Sequence, residues 1–217
     1  MGEDKSLSKS IHRTKRVVLS KEDWVNAALV VLVSEGVSAV EITRLASDLT
    51  MTRGSFYWHF KDRGDLLACL IDEWQHLNSD VMGKALEGSS SLEEGILALF
   101  SVWVAAEPFN AQLDQAMRDW ARHSEAVKEA VEEEDDKRLA TIKAFFERQG
   151  FEATEAFIRA RVLYFTQVAY YALGVEEPMA QRLSYLKEYY RSFTGREINP
   201  ETAEAYCQSI SQKEKVA

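Results

Sequence analysis

The sequence predicts an all-α protein, on three observations. Apolar residues recur at helical spacing along nearly the whole chain of 217 residues, no alternating run of β-branched residues marks a strand, and clusters of Gly, Pro and Ser separate the periodic segments. With 46% apolar residues and only three prolines, the chain has the material for a sizeable core in one or two domains.

The first helix is expected from Ser20, an N-cap with Asp23 at the reciprocal position of a capping box, to Glu35, with Gly36 as its stop. Trp24, Ala27, Ala28, Val31 and Leu32 form its apolar face. A second short helix is expected directly afterwards, because Ser38-Ala39-Val40-Glu41 matches a capping box and Ile42, Leu45, Ala46 and Leu49 form one stripe. Thr50-Met51 breaks it, and a third helix is expected from Thr52, its N-cap, to Phe60, before Lys61-Asp62 ends it. Longer helices are expected near 63–86, 91–106, 110–122, 124–149, 152–174, 178–194 and 200–212, cut at Gly88, Pro108, Gly150, Gly174 to Pro178 and Asn199-Pro200. The acidic stretch Glu132 to Asp136 reads as a solvated helix face. The chain thus divides into an arm over 1–16, a three-helix unit over 17–64 and a larger helical domain over 65–217.

Charge separates the two parts. Residues 1–64 carry ten Lys/Arg against eight Asp/Glu, whereas 65–217 carry sixteen against twenty-seven, so the net charge of −9 belongs to the second part. Lys9, Arg13, Lys15 and Arg16 form a basic arm with no acidic residue between Lys5 and Lys21, a composition suited to neutralising phosphates. The apolar stretch Trp24 to Val33 is too short to span a bilayer, and the charges at 21–23 argue against a signal peptide, so a cytoplasmic protein without membrane contact is expected. Cys69 and Cys207 stand far apart without metal-ligand spacing, and neither a disulfide framework nor a metal site is expected.

Three short helices with a tight turn between the last two describe a helix-turn-helix. A recognition helix needs small and polar residues toward the major groove and an apolar anchor behind them. Thr52, Arg53, Gly54, Ser55, Tyr57, Trp58 and His59 supply the first, and Phe56 and Phe60, four apart on one face, supply the second. Tyr57 and Lys61 suit phosphate contacts, and Arg53 suits either guanine or phosphate.

The run Ile42-Thr43-Arg44-Leu45-Ala46, then Met51 to Lys61, then Arg63 and Leu66-Leu67, resembles the DNA-binding domain of the tetracycline-repressor (TetR) family over about residues 17–70. Four positions depart from the family pattern. Thr50 occupies a turn position that is often glycine, Arg63 replaces a lysine, and Val40 and Glu41 replace threonines that open the second helix, so Thr43 and Arg44 become the contributors from that helix. The resemblance implies a regulator, by family habit a repressor, that binds double-stranded operator DNA through Thr43, Arg44, Thr52, Arg53, Gly54, Ser55, Tyr57, Trp58, His59 and Lys61. It implies a second domain that binds a small, mostly hydrophobic effector, with Trp74, Phe100, Trp103, Met117, Arg118, Trp120 and Tyr164 as lining candidates. Arg118 with Arg122 could hold an anionic head group, and Arg159 with Arg161 invites the same reading. It also implies a homodimer through the helices near 152–174 and 178–194, with Phe157, Arg161, Tyr164, Val168 and Tyr171 facing Leu183, Leu186, Tyr190 and Phe193.

An enzyme is the competing reading. A di-iron bundle needs Glu-x-x-His pairs, which His12, His59, His76 and His123 do not make, and no nucleophile arrangement or phosphate-cradling glycine loop is visible. No catalytic residue and no cofactor are therefore expected. A helical ligand-binding protein whose N-terminal motif no longer binds DNA is the third possibility.

Overall fold

A computed structural model of the chain describes residues 19–104 and 109–214, and the basic arm lies outside them. Among the described residues every regular element is helical. The three-helix unit consists of α1 (Lys21–Glu35), α2 (Ile42–Asp48) and α3 (Arg53–Phe56), with a 3₁₀ turn at Val37–Ala39. α1 is capped as its sequence demands. The Ser20 hydroxyl accepts the Asp23 N–H at 3.2 Å and Asp23 accepts the Ser20 N–H at 2.7 Å, while Gly36 closes the far end at φ 83°.

The expected capping box at Ser38 does not form. Val40 is fully buried and Glu41, the residue before α2, makes no side-chain cap. The Arg63 guanidinium instead takes the carbonyls of Val40 and Val37, each at 2.6 Å, which fixes the segment as a 3₁₀ turn.

The second domain contains α4 (Arg63–Asn78), α5 (Val81–Leu86), α6 (Leu92–Val104), α7 (Ala111–Ala121), α8 (Glu125–Arg148), α9 (Ala153–Ala172), α10 (Met179–Ser184), α11 (Leu186–Thr194) and α12 (Pro200–Glu214). The helix expected over 63–86 is thus two helices, broken at Ser79-Asp80. The cause is tertiary: the Asn78 amide donates to the Asn110 carbonyl and accepts the Asn110 N–H, both at 3.0 Å, and so ties the end of α4 to the cap of α7. The helix expected over 178–194 is likewise two, α10 and α11, meeting at Tyr185.

Two cores hold the molecule. Trp24, Leu45, Phe56 and Phe60 of the three-helix unit pack in one continuous cluster with Leu66, Leu70 and Trp74 of α4, Met117 and Trp120 of α7, and Val127 and Val131 of α8. α4 is therefore a shared beam between the three-helix unit and the rest. The other core lies among α5, α6, α8, α9, α11 and α12. α6 approaches α8 so closely there that a Cβ on Gly95 would stand 2.2 Å from the Phe145 ring. No described helix is long and apolar enough to cross a membrane.

Candidate nucleic-acid interface

The geometry of Thr52 to Lys61 begins at the turn before it. Thr50 has φ 55°, its N–H donates to the Ser47 carbonyl at 3.0 Å, and the Met51 N–H reaches the Ala46 carbonyl at 2.7 Å. These two bonds form a Schellman cap, with a β-branched residue where glycine would cost least. The sequence anticipated this: the position departs from glycine, and the backbone keeps the left-handed conformation nonetheless. Thr52, in extended conformation, then caps α3 by accepting the Ser55 N–H at 3.4 Å. α3 itself is shorter than expected. Regular α-helix ends at Phe56, and Tyr57 to Phe60 continue as tight turns because Phe56 and Phe60 must both point inward, stacked 5.0 Å apart, with Trp24 edge-on to Phe56.

What remains faces outward. Thr52, Arg53, Gly54, Tyr57, Trp58 and Lys61 are exposed and Ser55 and His59 half-buried. Trp58 is 87% exposed, an uncommon position for so large an apolar surface. Gly54 is helical, and a Cβ there would meet only the Thr52 hydroxyl at 3.6 Å, so nothing within the chain requires a glycine.

α2 contributes differently from expectation. Thr43 is exposed, but Arg44 binds both oxygens of Glu35 and reaches Asp48 at 3.4 Å, so it crosslinks α2 to α1. The pair raises the Arg44 pKa and holds the Glu35 carboxyl below its ordinary range.

The seven lining candidates of the second domain separate into three places. Trp74, Met117 and Trp120 belong to the core that joins the two domains. Arg118 and Tyr164 belong to a buried polar network. Arg118 donates to Asp114 at 3.0 Å, to Asp135 at 2.8 and 2.6 Å and to the Tyr164 hydroxyl at 3.0 Å, while Arg138, wholly buried, donates to Asp114 at 2.9 Å and Tyr164 at 3.0 Å. The Trp74 indole N–H also reaches Asp114, and the Arg138 guanidinium lies over the rings of Trp74 and Phe109. Burial opposes the charge on both arginines, but the facing carboxylates outweigh it and raise both pKa values. Arg118 is thus saturated and does not pair with Arg122, which projects into solvent beside Asp119. Phe100 and Trp103 line a cavity of about 60 Å³ beneath α10, and Trp120 also borders an open cleft between α1 and α7.

Two further expectations are corrected. The stretch 132–136 is not uniformly solvated, since Glu134 is buried and Asp135 belongs to the network. On α9 and α11, Tyr164, Leu186, Tyr190 and Phe193 turn into their own core, and the exposed apolar residues are Phe157, Ile158, Val162, Phe165, Tyr185 and Tyr189. Arg161 lies across Phe157 and Phe165 on that outer face, whereas Arg159 is consumed by Glu155 and the Phe193 carbonyl.

A capped short helix, an αL turn before it, and an exposed polar and aromatic face define a helix-turn-helix domain. Residues 25–70 match the family described as bacterial regulatory proteins, tetR family. The HTH-type transcriptional regulator SrpR of Pseudomonas putida is 36% identical over 57 residues, which is 26% of this chain and 27% of that protein. The chain therefore aligns with about a quarter of that relative's length. Over the whole fold, the TetR transcriptional regulator of Legionella pneumophila superposes with a TM-score of 0.55 at 15% identity, covering 91% of this chain and 98% of the other. The transcriptional regulator FadR of Bacillus subtilis, solved in complex with stearoyl-CoA, superposes with a TM-score of 0.53 at 12% identity, covering 88% and 97%.

Proposed function

We propose that the chain is a dimeric transcriptional regulator that reads operator DNA with Thr52 to Lys61 and releases it when a small, mostly hydrophobic molecule binds the second domain. The observation that carries the DNA-binding reading is the outward set Arg53, Gly54, Tyr57, Trp58 and Lys61 on a capped helix whose inner face is fully engaged. Arg53 and Lys61 supply positive charge, and the helix start at Thr52 presents backbone N–H groups. Bare Gly54 permits close approach of a phosphate, which explains a glycine that the fold does not need. Thr43 adds a hydroxyl from α2. In this reading Arg44 contacts DNA only by loosening its pair with Glu35.

Dimerisation through α9 and α11 is supported by the exposed stripe from Phe157 to Tyr189, since contiguous apolar surface of this kind is uncommon on a monomer. A two-fold pair would set two recognition segments about 34–36 Å apart, one turn of DNA. The complex of FadR with stearoyl-CoA supports a small-molecule effector for this fold. A repressor is favoured over an activator, because release by ligand requires only that the pair leave the spacing that fits.

The test is a mobility-shift assay with DNA from upstream of the protein's own gene at two salt concentrations. Site-specific, salt-sensitive retardation is expected. Retardation equal to that of unrelated DNA at both salt concentrations contradicts the proposal.

A further inference from the structure

The cavity beneath α10 has walls of Phe100, Leu163, Leu186 and Phe193, the inner faces of α6, α9 and α11. Its lining carries polar groups without partners. Among the described residues, the Trp103 indole N–H, on a residue only 4% exposed, and the Gln167 amide nitrogen are both buried without a hydrogen bond. A buried donor left unpaired costs about 1–3 kcal/mol, so two in one cavity call for an acceptor from outside the chain. At the mouth, the Arg182 guanidinium lies 5.1 Å from the Tyr170 ring centre and makes no ion pair among the described residues. The nearby carboxylate of Glu177 is already engaged, accepting from the Tyr170 hydroxyl and from Gln181. Donors and a cation are thus unspent, whereas the acceptor is in use.

At about 60 Å³ the cavity is narrow, far below the roughly 300–1,000 Å³ of a filled ligand site. Its cover is suited to opening. α10 has no buried residue, and its ends are held by polar contacts, Gln181 to Glu177 and Gln181 to Tyr185. Occupancy has a route to the DNA-binding unit. The Tyr171 hydroxyl donates to the Trp103 carbonyl, the Tyr171 ring stacks on Phe109, and Phe109 lies against Arg138, which covers Trp74 of α4.

We infer that this cavity is the effector site and that its occupant is a flat apolar anion, an aromatic carboxylate in type. Its ring enters between Leu163 and Phe193, and its oxygens take the hydrogen bonds of Trp103 and Gln167 and the charge of Arg182. The inference rests on the reading of the second domain as effector-binding.

The experiment titrates the full-length protein with 2-naphthoate and, as a control of the same shape, with the cationic naphthalen-2-ylmethylammonium. Saturable binding of one naphthoate per protomer is expected, with the cation at least tenfold weaker. Arg182→Gln, at the half-buried mouth, and Trp103→Phe, which keeps the apolar wall, should each weaken naphthoate about tenfold, the scale of one hydrogen bond to a charged group. Their melting temperatures report that both variants fold. No saturable naphthoate binding, equal binding of the cation, or wild-type affinity in both variants would each overturn the assignment. Mobility shifts with upstream DNA separate this inference from the reading beneath it. Binding that obeys the variants but leaves DNA affinity unchanged supports the cavity's anion chemistry and contradicts ligand release. DNA release by naphthoate that persists in both variants supports ligand release and overturns the site.

Discussion

Arg53, Tyr57, Trp58 and Lys61 leave the three-helix unit facing outward, whereas Arg118, Arg138, Asp114 and Asp135 in the second domain turn inward onto one another. The contrast separates two uses of polar side chains. A group satisfied inside the fold fixes the relation of the helices that carry it, and a group left unsatisfied at the surface is available to a partner. Arg44 and Arg63 share the first fate within the small domain: the family motif suggested DNA contact for Arg44, yet both are spent on partners within the fold.

The largest effect should come from the inward side. Arg138→Ala leaves Asp114 buried with one cation fewer and should destabilise the fold by about 3–5 kcal/mol in urea titration, the range for breaking a buried pair. A loss under about 1 kcal/mol would reduce the network to the standing of a surface pair. Next, Gly95→Ala pushes a methyl group against the Phe145 ring and should cost about 1–3 kcal/mol, as overpacked cores do. An unchanged melting temperature would mean that α6 and α8 can part freely. The three-helix unit offers a change of opposite sign. Thr50→Gly relieves a β-branched residue at φ 55° and should stabilise the protein by about 1 kcal/mol while leaving DNA binding intact.

The smallest contrast is in pH. Ser20 holds the Asp23 carboxyl, and Arg44 the Glu35 carboxyl, below their ordinary values. Their contribution is complete above the unfolded values of 3.8 and 4.5 and is lost as pH falls through the depressed folded ones. Burial pushes the phenols of Tyr170, Tyr171 and Tyr190 up to about 12, so theirs is complete below the unfolded value of 10.0 and is lost as pH rises through 12. Tyrosinate absorbance on alkaline titration should therefore show these phenols ionising late. Their ionisation together at pH 10 would mean that the second core is open to water.

The sequence made the local part of this contrast legible. The caps at Ser20 and Thr52, the stop at Gly36 and the strained Thr50 are decided by neighbours a few residues away, and each appears where the pattern placed it. The misplaced features are set by distant partners. Asn78 ends α4 through Asn110, Arg63 reshapes the turn before α2, and Asp135 with Glu134 sits inside a helix face that looks solvated because its arginine partner on α7 is invisible to periodicity. The lining candidates scattered for the same reason: aromatic residues mark apolar surface, but not whether another side chain or a ligand fills the space beside them.

The central claim is that the outward face of Thr52 to Lys61 reads DNA and carries little of the fold. It is tested most directly by fluorescence anisotropy of upstream DNA with the wild type and with Tyr57→Ala, alongside thermal melts. The expected result is DNA binding weakened at least about tenfold, with a stability change within about 0.5 kcal/mol and an unchanged oligomeric state. Unchanged DNA affinity across a salt titration contradicts the claim.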